Sequence, residues 1–513
     1  MRNTPRRIMA RMRPLAAGLG LLLVGTSCNS FLDPHPTDTL TQTNFYRTAA
    51  DAVAAVNAVY GQEQYLYLFF FYISDVAGDD VFATNNFGTD GHQLADYTFD
   101  KTLYWFENIW ANSYTIIQRA NIVVDRVPAI TMDTTERARI VGEARFLRAL
   151  AYFNLVRMYG DVPVLLHAGT TPQSGLIPRT PLDSVYKVII SDLQAAAPAL
   201  PTSYSGADVG RATSGAALSL LAKVYLTQQQ WTLAAQTAGQ VISSGNYALY
   251  TTWFDNFRIA NQYVSSNKEN IFTINYASPT EAAGVLGSIT TLFALPQGYP
   301  GGDAYGLMQV NPKLVNSFSP TDQRGNHGTI MISPYTDEHN TTTSWTVPAL
   351  DHNGGAGAAF HKYLDEENTQ NLTARSWEQQ ANGWIILRYA DVLLMYAEAV
   401  NEGGTPTSIS RDAALNMVRQ RADPGVPSLI GLTQTDFRDS LRIERRKEFG
   451  YEGQRWFDMA RWGVIDSVVR VKTTDLSILY PGETTPHGAP SNLFPIPLAE
   501  IQVNPKLTQN PGW

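Results

Sequence analysis

Two pairs of neighbouring carboxylates are the first groups in this sequence that could do chemistry. Asp79 and Asp80 are adjacent in a turn-rich stretch, and Glu366 and Glu367 are adjacent much later in the chain. A glycoside hydrolase needs two carboxyl groups that face each other across a sugar bond, roughly 5 to 9 Å apart. Neighbours in sequence do not establish that separation, and loop carboxylates more often form turns or hydrogen-bond a ligand. We therefore predict no catalytic residue in either pair.

Three histidines form a second group with possible chemistry. His339, His352 and His361 lie in a Gly- and Asn-rich region that also contains aspartates and glutamates, so a divalent cation could bind there. Their spacing matches no known metal site, and no zinc-protease, nucleophile-elbow, Walker A or dinucleotide-binding motif occurs in the sequence. We expect these histidines to be solvated loop residues, with no metal site and no cofactor.

The single cysteine, Cys28, has a different kind of chemistry. It follows an arginine-rich start, an apolar run at 15–24 and the small residues Gly25, Thr26 and Ser27. The apolar run is too short to span a bilayer as a helix, which needs roughly 20 residues. The pattern predicts an export signal over 1–27. A cysteine at this position resembles the lipobox of bacterial lipoproteins, although Gly25 replaces the usual leucine.

This resemblance implies that the chain is cut before Cys28 and that the thiol is acylated. Residues 28–44, rich in Pro, Asp and Thr, would then be a lipidated tether. The alternative is an ordinary signal peptide with an incidental cysteine. In either case a lone cysteine leaves no disulfide framework, so the folded body must be stabilised by its core.

Composition and charge narrow the class of protein. Hydrophobic residues make up 44% of the chain and charged residues 16%, which is typical of a globular protein. The formal net charge is −8, and removal of an arginine-rich signal would make it more negative. A negatively charged body repels phosphate backbones, so nucleic acid is not an expected partner.

The densest mixture of charged and aromatic residues is the segment 441–463, "LRIERRKEFGYEGQRWFDMARWG". Its arginines could form a basic patch for phosphate. However, opposite charges nearly balance, and Trp456, Phe457 and Trp462 recur at core spacing. We predict a partly buried ion-pair network that locks the C-terminal helices together.

The elements that must position these groups are mostly helices. Apolar residues recur at spacings of three and four over 104–127 and 135–160, where Gly160 is expected to end the helix. A helical pair is predicted at 213–245, with Thr213 as N-cap, and another pair begins at Tyr389. The pattern predicts about four helical hairpins of tetratricopeptide type, over about 45–245 and 383–463.

The middle of the chain, about 250–382, has a different pattern. It is rich in Gly, Pro, Asn and Thr and contains scattered aromatics, with short strands such as "NIFTINYA". Long ordered loops on a rigid scaffold commonly carry binding function. We therefore expect this loop-rich region to hold a ligand site.

Seven stretches together resemble the SusD/RagB family of outer-membrane lipoproteins. In chain order they are "SCNSFLDPHP", "EARFLRALAYFNLVRMYGDVPV", "RATSGAALSLLAKVYL", "RYADVLLMYAEAVN", "ALNMVRQRA", "LRIERRKEFGYEGQRWFDMARWG" and "NLFPIPLAEIQVNPKLTQNPGW". The resemblance implies a mainly α, SusD-like fold, in which tetratricopeptide-like hairpins pack against a loop-rich half with a few short strands. It also implies a single body over 45–513, anchored by lipid at the surface of the outer membrane.

The resemblance further implies no catalysis. Members of this family cover a SusC-like TonB-dependent transporter barrel, capture glycans or in some cases peptides, and pass them to the barrel. The alternatives are a secreted glycoside hydrolase and a tetratricopeptide adaptor that binds only protein.

Sugar recognition uses flat aromatic side chains for stacking and polar side chains for the hydroxyls. In the loops we predict as ligand-binding residues Asp79, Asn85, Phe87, Tyr97, Tyr299, Tyr305 and Trp345. Trp110, Tyr114 and Trp456 lie inside helical motifs, and we assign them to the core.

Overall fold

The structure is a computed structural model that describes residues 46–70, 72–84, 86–277, 286–296, 299, 304–345, 357–367, 380–479 and 485–513. The predicted signal, Cys28 and the tether lie outside the described residues, and so do Asn85 and His352.

Helices dominate the described chain. Those before the middle region are α1 (Ala49–Tyr67), α2 (Gly88–Ala95), α3 (Tyr104–Arg126), α4 (Thr134–Tyr159), α5 (Leu182–Ala199), α6 (Ser214–Thr227) and α7 (Trp231–Ser243). The middle region contains the short helices α8 (Ile259–Gln262), α9 (Thr290–Ala294) and α10 (Pro312–Val315). The remaining helices are α11 (Tyr389–Asn401), α12 (Arg411–Ala422), α13 (Gln434–Phe449), α14 (Arg455–Arg461), α15 (Ile465–Leu479) and α16 (Leu498–Val503).

Several helix ends follow directly from the sequence. The Thr48 side chain accepts a hydrogen bond from the Asp51 amide, and the Asp51 carboxylate accepts one from the Thr48 amide, which is a capping box. The predicted N-cap Thr213 accepts from the amide of Ala216 at the start of α6. Gly160 ends α4 with a φ of 71°, a conformation that disfavours residues with a Cβ atom. The predictions at Thr213 and Gly160 are confirmed.

The helices form one continuous stack. Successive helices α3 to α7 pack against their neighbours, α1 packs against α3, and α7 packs against α11, which in turn packs against α12. The predicted pairs at 213–245 and from Tyr389 onward are therefore confirmed, and the second continues the stack begun by the first. The mainly α fold with a few short strands is also confirmed.

The strands are short and pair in twos. They are β1 (Val81–Ala83), β2 (Asn270–Ile274), β3 (Met308–Val310), β4 (Ile330–Ile332), β5 (Tyr335–Thr336), β6 (Thr342–Thr343), β7 (Ala358–Phe360) and β8 (Trp384–Arg388). Four antiparallel pairs result, β1 with β3, β2 with β8, β4 with β7 and β5 with β6. The predicted strand "NIFTINYA" corresponds to β2 and is confirmed.

The core assignments from the helical motifs agree with the structure in two cases. Trp110 and Trp456 are 3% and 1% exposed. Tyr114 is only half-buried, and its hydroxyl donates to the Pro163 carbonyl at 2.8 Å. This hydrogen bond holds the segment after α4 against the edge of the core.

The predicted ion-pair network is confirmed among the C-terminal helices. Arg445 of α13 is 1% exposed, and its guanidinium reaches Asp458 of α14 and Asp391 of α11, each at 2.9 Å. The carboxylate of Asp391 also binds the Nζ atom of Lys223 in α6 at 2.8 Å. These buried pairs connect four helices, which is the locking role predicted from the sequence.

A second part of the network reaches into the loop-rich region. Glu448 of α13 is fully buried, and its carboxylate binds Arg388 at 2.6 Å, Arg421 at 2.5 Å and Arg324 at 2.8 Å. Burial alone raises the pKa of Glu448, but the three guanidiniums outweigh burial and hold that pKa well below its usual range. The charged segment therefore also ties the helical stack to the middle of the chain.

Candidate ligand-binding site

The early loop and the middle region meet at the β1–β3 pair. Val81 lies opposite Val310, and the Thr84 amide donates to the Leu307 carbonyl at 3.0 Å. The Asn86 side-chain amide then donates to the Tyr305 carbonyl at 3.2 Å. Residues that are more than two hundred positions apart in sequence are thereby placed side by side.

Beside this junction lies a compact apolar cluster. Its buried members are Leu295, Tyr299, Ala304, Met331, Tyr335, Ala359 and Leu364. Trp345 packs on the cluster and is partly buried. Tyr305 follows Ala304 directly, is 37% exposed, and makes an edge contact with Phe293 at a centroid distance of 5.7 Å. We call Tyr305, Trp345 and this cluster the aromatic patch.

A buried carboxylate lies within this cluster. Glu366 is 2% exposed, and its Oε1 atom accepts hydrogen bonds from the hydroxyls of Tyr299 and Tyr335, both at 3.0 Å. Its Oε2 atom accepts from the Glu338 amide at 2.9 Å, and His361 Nε2 lies 3.2 Å from Oε1. Burial raises the pKa of Glu366, but the hydrogen bond and charge of His361 and the other donors outweigh burial and lower that pKa to about 2.

The expectation that the histidines are solvated is wrong for His361. Its side chain is 3% exposed because β7 pairs with β4 and carries the following residue into the interior. His339 is exposed, as expected, and its Nε2 atom lies 2.8 Å from the Glu366 carbonyl. Among the described residues, no group of histidine, cysteine and acidic side chains is arranged to hold a metal ion.

The structure places Asp79 in an ion pair instead of a ligand site. Asp79 is 8% exposed, and its carboxylate binds Arg455 at 2.5 and 3.0 Å and Arg446 at 3.3 Å. Burial raises the pKa of Asp79, but these two guanidiniums outweigh burial and hold the pKa below its usual range. Asp80 is also buried and pairs with Arg446 at 2.5 Å. The loop carboxylates anchor the early loop to α13 and α14, which leaves little of them for a ligand.

Two more of the predicted ligand residues pack inside. Tyr97 is 4% exposed, its hydroxyl donates to the Ala77 carbonyl at 2.6 Å, and its ring stacks on Trp456 at 6.3 Å. Phe87 is 7% exposed. Tyr299 lies within the patch but is 3% exposed, so it supports the surface from below. The predicted residues that present surface in the patch are therefore Tyr305 and Trp345.

Three residues of the site were missed by the sequence analysis. Tyr335 and Glu366 form the buried support, and Asn86 is exposed at the edge of the patch, beside the predicted Asn85. Proximity to Asn85 was a usable signal for Asn86. No sequence signal distinguishes Glu366 from its neighbour Glu367, which is 63% exposed and pairs with Arg258 at 2.9 Å.

Two open cavities lie elsewhere, on either side of the turn that contains Arg211. Their volumes are about 330 and 360 Å³, and both are lined by the Asn275 side chain and the end of β2. Arg211 is committed to Glu143 at 2.9 Å and to Asn57 at 2.8 Å. Tyr60 and Tyr204 also line these cavities, and the hydroxyl of each is hydrogen-bonded to the backbone of Ala212. The aromatic patch remains the stronger candidate because its rings are presented at the surface.

None of the described helices combines the length and the apolar character needed to cross a membrane.

The sequence matches known protein families and relatives over most of its length. A model described as the SusD family matches residues 268–513, and a model described as starch-binding associating with outer membrane matches residues 30–226. A SusD-like protein of Formosa agariphila is 26% identical, with 94% of this chain and 95% of that protein aligned.

Solved structures show the same fold. A laminarin-binding SusD-like protein superposes with a TM-score of 0.73 at 23% identity, covering 91% of this chain and 100% of the other. A surface glycan-binding protein A from Bacteroides fluxus has a TM-score of 0.73 at 22% identity, with coverage of 91% and 100%. With the two family models matching in order along both halves of the sequence, this chain belongs to the SusD/RagB family.

Proposed function

We propose that this protein is a non-catalytic lipoprotein of the outer-membrane surface that binds glycans and delivers them to a SusC-like TonB-dependent transporter. Its family supports this proposal, and so do relatives of the same fold whose names describe laminarin and glycan binding. The observation that carries the glycan part is the aromatic patch, in which Trp345 packs on the buried cluster and Tyr305, next to the cluster residue Ala304 in the chain, packs against Phe293.

The chemistry of the patch fits a sugar. The face of a pyranose presents C–H groups, which pack well against a flat aromatic ring, and its hydroxyls need polar partners at the edge. The patch has two partly exposed rings, and the exposed Asn86 amide lies at its border. Because the rings rest on packed side chains, little conformational entropy is lost when a ligand binds.

The state of the carboxylates favours binding over hydrolysis. Asp79 and Asp80 are paired with arginines, Glu366 accepts from two tyrosine hydroxyls, and Glu367 binds Arg258. A general acid must instead offer its proton to the glycosidic oxygen. Incubation of the purified protein with polysaccharides should therefore release no new reducing ends, and their release would favour the hydrolase alternative.

Membrane attachment and partner choice complete the proposal. Residues 1–27 would be removed, Cys28 acylated and 28–44 extended as a tether to a body over 45–513. Mass spectrometry of the native protein should find an acylated N-terminal cysteine, and an unmodified thiol would contradict the anchor. Affinity purification of the tagged native protein from outer membranes should recover a TonB-dependent barrel.

The glycan proposal is tested by binding measurements with a panel of neutral polysaccharides that includes laminarin and starch. Trp345→Ala and Tyr305→Ala should each weaken the affinity for the bound polysaccharide about tenfold, because each removes a stacking surface. Tyr65→Ala is the matched control, since Tyr65 is 54% exposed on α1 and outside the patch.

Equal affinity in the wild type and both patch variants would place the ligand elsewhere. Absence of binding to every polysaccharide, together with binding of protein partners, would favour the adaptor alternative.

A further inference from the structure

Three separate chain segments build the aromatic patch. One contains Tyr299 and Tyr305, the second runs from β4 through Tyr335 and the β5–β6 hairpin to Trp345, and the third contains β7 and Glu366. The β4–β7 ladder joins the second segment to the third, and the β5–β6 pair lies within the second. Among the described residues, no strand ladder joins either of them to the segment of Tyr299 and Tyr305. Something other than regular strand pairing must fix the position of that first segment and of the hairpin tip.

We propose that Glu366 is the positioning residue of the ligand site, because its buried carboxylate joins the Tyr299 segment and the hairpin of residues 335–345 at one point. This inference rests on the proposed function, in that Tyr305 and Trp345 are taken as the ligand-contacting residues. Glu366 itself is 2% exposed and is not expected to touch the ligand.

The hydrogen bonds of the Glu366 carboxylate account for this role. Its Oε1 atom receives the Tyr299 hydroxyl from the first segment and the Tyr335 hydroxyl from the second. Its Oε2 atom receives the Glu338 amide at the turn of the hairpin. Hydrogen bonds to an ionised acceptor are roughly twice as strong as those between neutral groups, so one carboxylate can order several donors.

His361 fixes the same centre from the opposite side. Its Nδ1 atom lies 3.2 Å from the Gly328 carbonyl, which can only accept, so Nδ1 carries a hydrogen. Its Nε2 atom lies 3.0 Å from the Tyr335 hydroxyl and 3.2 Å from Glu366 Oε1. Because the carboxylate that Nε2 faces can only accept, Nε2 also carries a hydrogen, and the ring holds both Glu366 and the Tyr335 oxygen as a donor.

The hairpin that leads to Trp345 is tied to Glu366 at more than one point. The Glu366 backbone carbonyl lies 2.8 Å from His339 Nε2, one residue after the amide held by Oε2. At the far end, the Trp345 amide donates to Ser333 Oγ at 2.9 Å. Loss of the carboxylate would release the Glu338 amide at the turn and the Tyr335 hydroxyl together.

The adjacent acid provides a matched control. Glu367 is 63% exposed and pairs with Arg258 at 2.9 Å. Replacement of either glutamate by glutamine removes one negative charge at nearly the same place in the sequence. Only Glu366→Gln replaces an acceptor that faces two tyrosine hydroxyls with an amide that also carries donors.

The first experiment measures backbone hydrogen exchange of residues 335–345 in the full-length body of the wild type, Glu366→Gln and Glu367→Gln. Glu366→Gln should raise the exchange rates in this segment about tenfold or more, while α4 and α11 keep wild-type protection. Glu367→Gln should exchange like the wild type. Equal protection in the two variants would overturn the proposal, whether or not the protein binds any glycan.

The second experiment measures affinity for the polysaccharide of the neutral panel that the wild type binds. Glu366→Gln should weaken binding about tenfold and Glu367→Gln should leave it unchanged, because only the former disturbs the support of Trp345 and Tyr305. Unchanged affinity in Glu366→Gln would contradict the positioning role. If the wild type binds no polysaccharide, the proposed function fails, but the exchange experiment still decides the role of Glu366.

A variant with a smaller change covers the case in which Glu366→Gln does not fold. Tyr299→Phe removes one donor to Oε1 and leaves the ring and the charge in place. It should raise the exchange of the segment around residue 299 and weaken polysaccharide binding about threefold. Wild-type values for both measurements in Tyr299→Phe would count against the proposal.

Discussion

Two buried glutamates, Glu448 and Glu366, organise different regions of this molecule by different means. Glu448 lies between α13 and the middle of the chain and is surrounded by the guanidiniums of Arg324, Arg388 and Arg421. Glu366 lies under the aromatic patch and is held by two hydroxyls, a backbone amide and His361, whose charge also lowers the pKa of Glu366.

The two glutamates differ in the charge of their partners, and this difference suits two structural roles. A carboxylate enclosed by several guanidiniums is costly to break, since removal of one member leaves uncompensated buried charge, and it locks large elements together. A carboxylate held by three neutral donors and a single histidine brings fewer charges into the interior, and its directional hydrogen bonds fix the orientation of individual rings. The first arrangement suits a scaffold and the second suits a binding surface.

The largest effect is expected from Glu448→Gln. The substitution leaves three guanidiniums facing a neutral amide, so the free energy of unfolding should fall by about 3 to 5 kcal/mol. Urea denaturation of wild type and variant measures this change. A loss no greater than that of Glu366→Gln would remove the distinction between the two glutamates.

A smaller, pH-dependent effect is expected at Glu366. The pKa of Glu366 is lowered from 4.5 to about 2 in the folded protein, so the carboxylate contributes stability that is complete above pH 4.5 and is lost as the pH falls toward 2. Glu366→Gln should therefore show a shallower loss of stability over this acid range than the wild type. Urea denaturation at a series of pH values gives the slopes, and Glu367→Gln serves as the comparison.

The smallest effect is expected from an ion pair at the surface. Asp466 and Arg470 on α15 are 2.9 Å apart, with side chains 54% and 62% exposed. Asp466→Asn should change the free energy of unfolding by less than about 0.5 kcal/mol, because water screens the pair. A loss comparable to that of Glu448→Gln would show that burial is not what separates these interactions.

Helical features were predictable from the sequence because their causes are local. Thr213 and Gly160 act within one helical turn, and the stripe along α4 is buried as its spacing indicates. Helix α5 is absent from the sequence-based prediction, although its buried Val185, Ile189 and Leu193 recur every four residues. That helix could have been found by the same rule.

The candidate site was less predictable because its causes are not local. Asp79 pairs with Arg455, which lies 376 positions away, and no sequence pattern near Asp79 indicates that partner. His361 sits among small and polar residues that favour exposure, yet the β4–β7 pair buries it. Tyr305 and Trp345 were identified from residue type and loop context, and their role in binding a ligand stays a prediction.

The antiparallel pairing of β2 with β8 has a consequence for how proteins of this architecture can diversify. Asn270 lies opposite Arg388 and Ile274 lies opposite Trp384. The chain segment between Ile274 and Trp384 therefore begins and ends at neighbouring positions. The entropic cost of closing such a segment grows only slowly with its length. Insertions and deletions in the loops of this segment can therefore be accommodated without moving the two strands. A wholesale exchange would have to keep Arg324, which pairs with the buried Glu448, and β3, which pairs with β1.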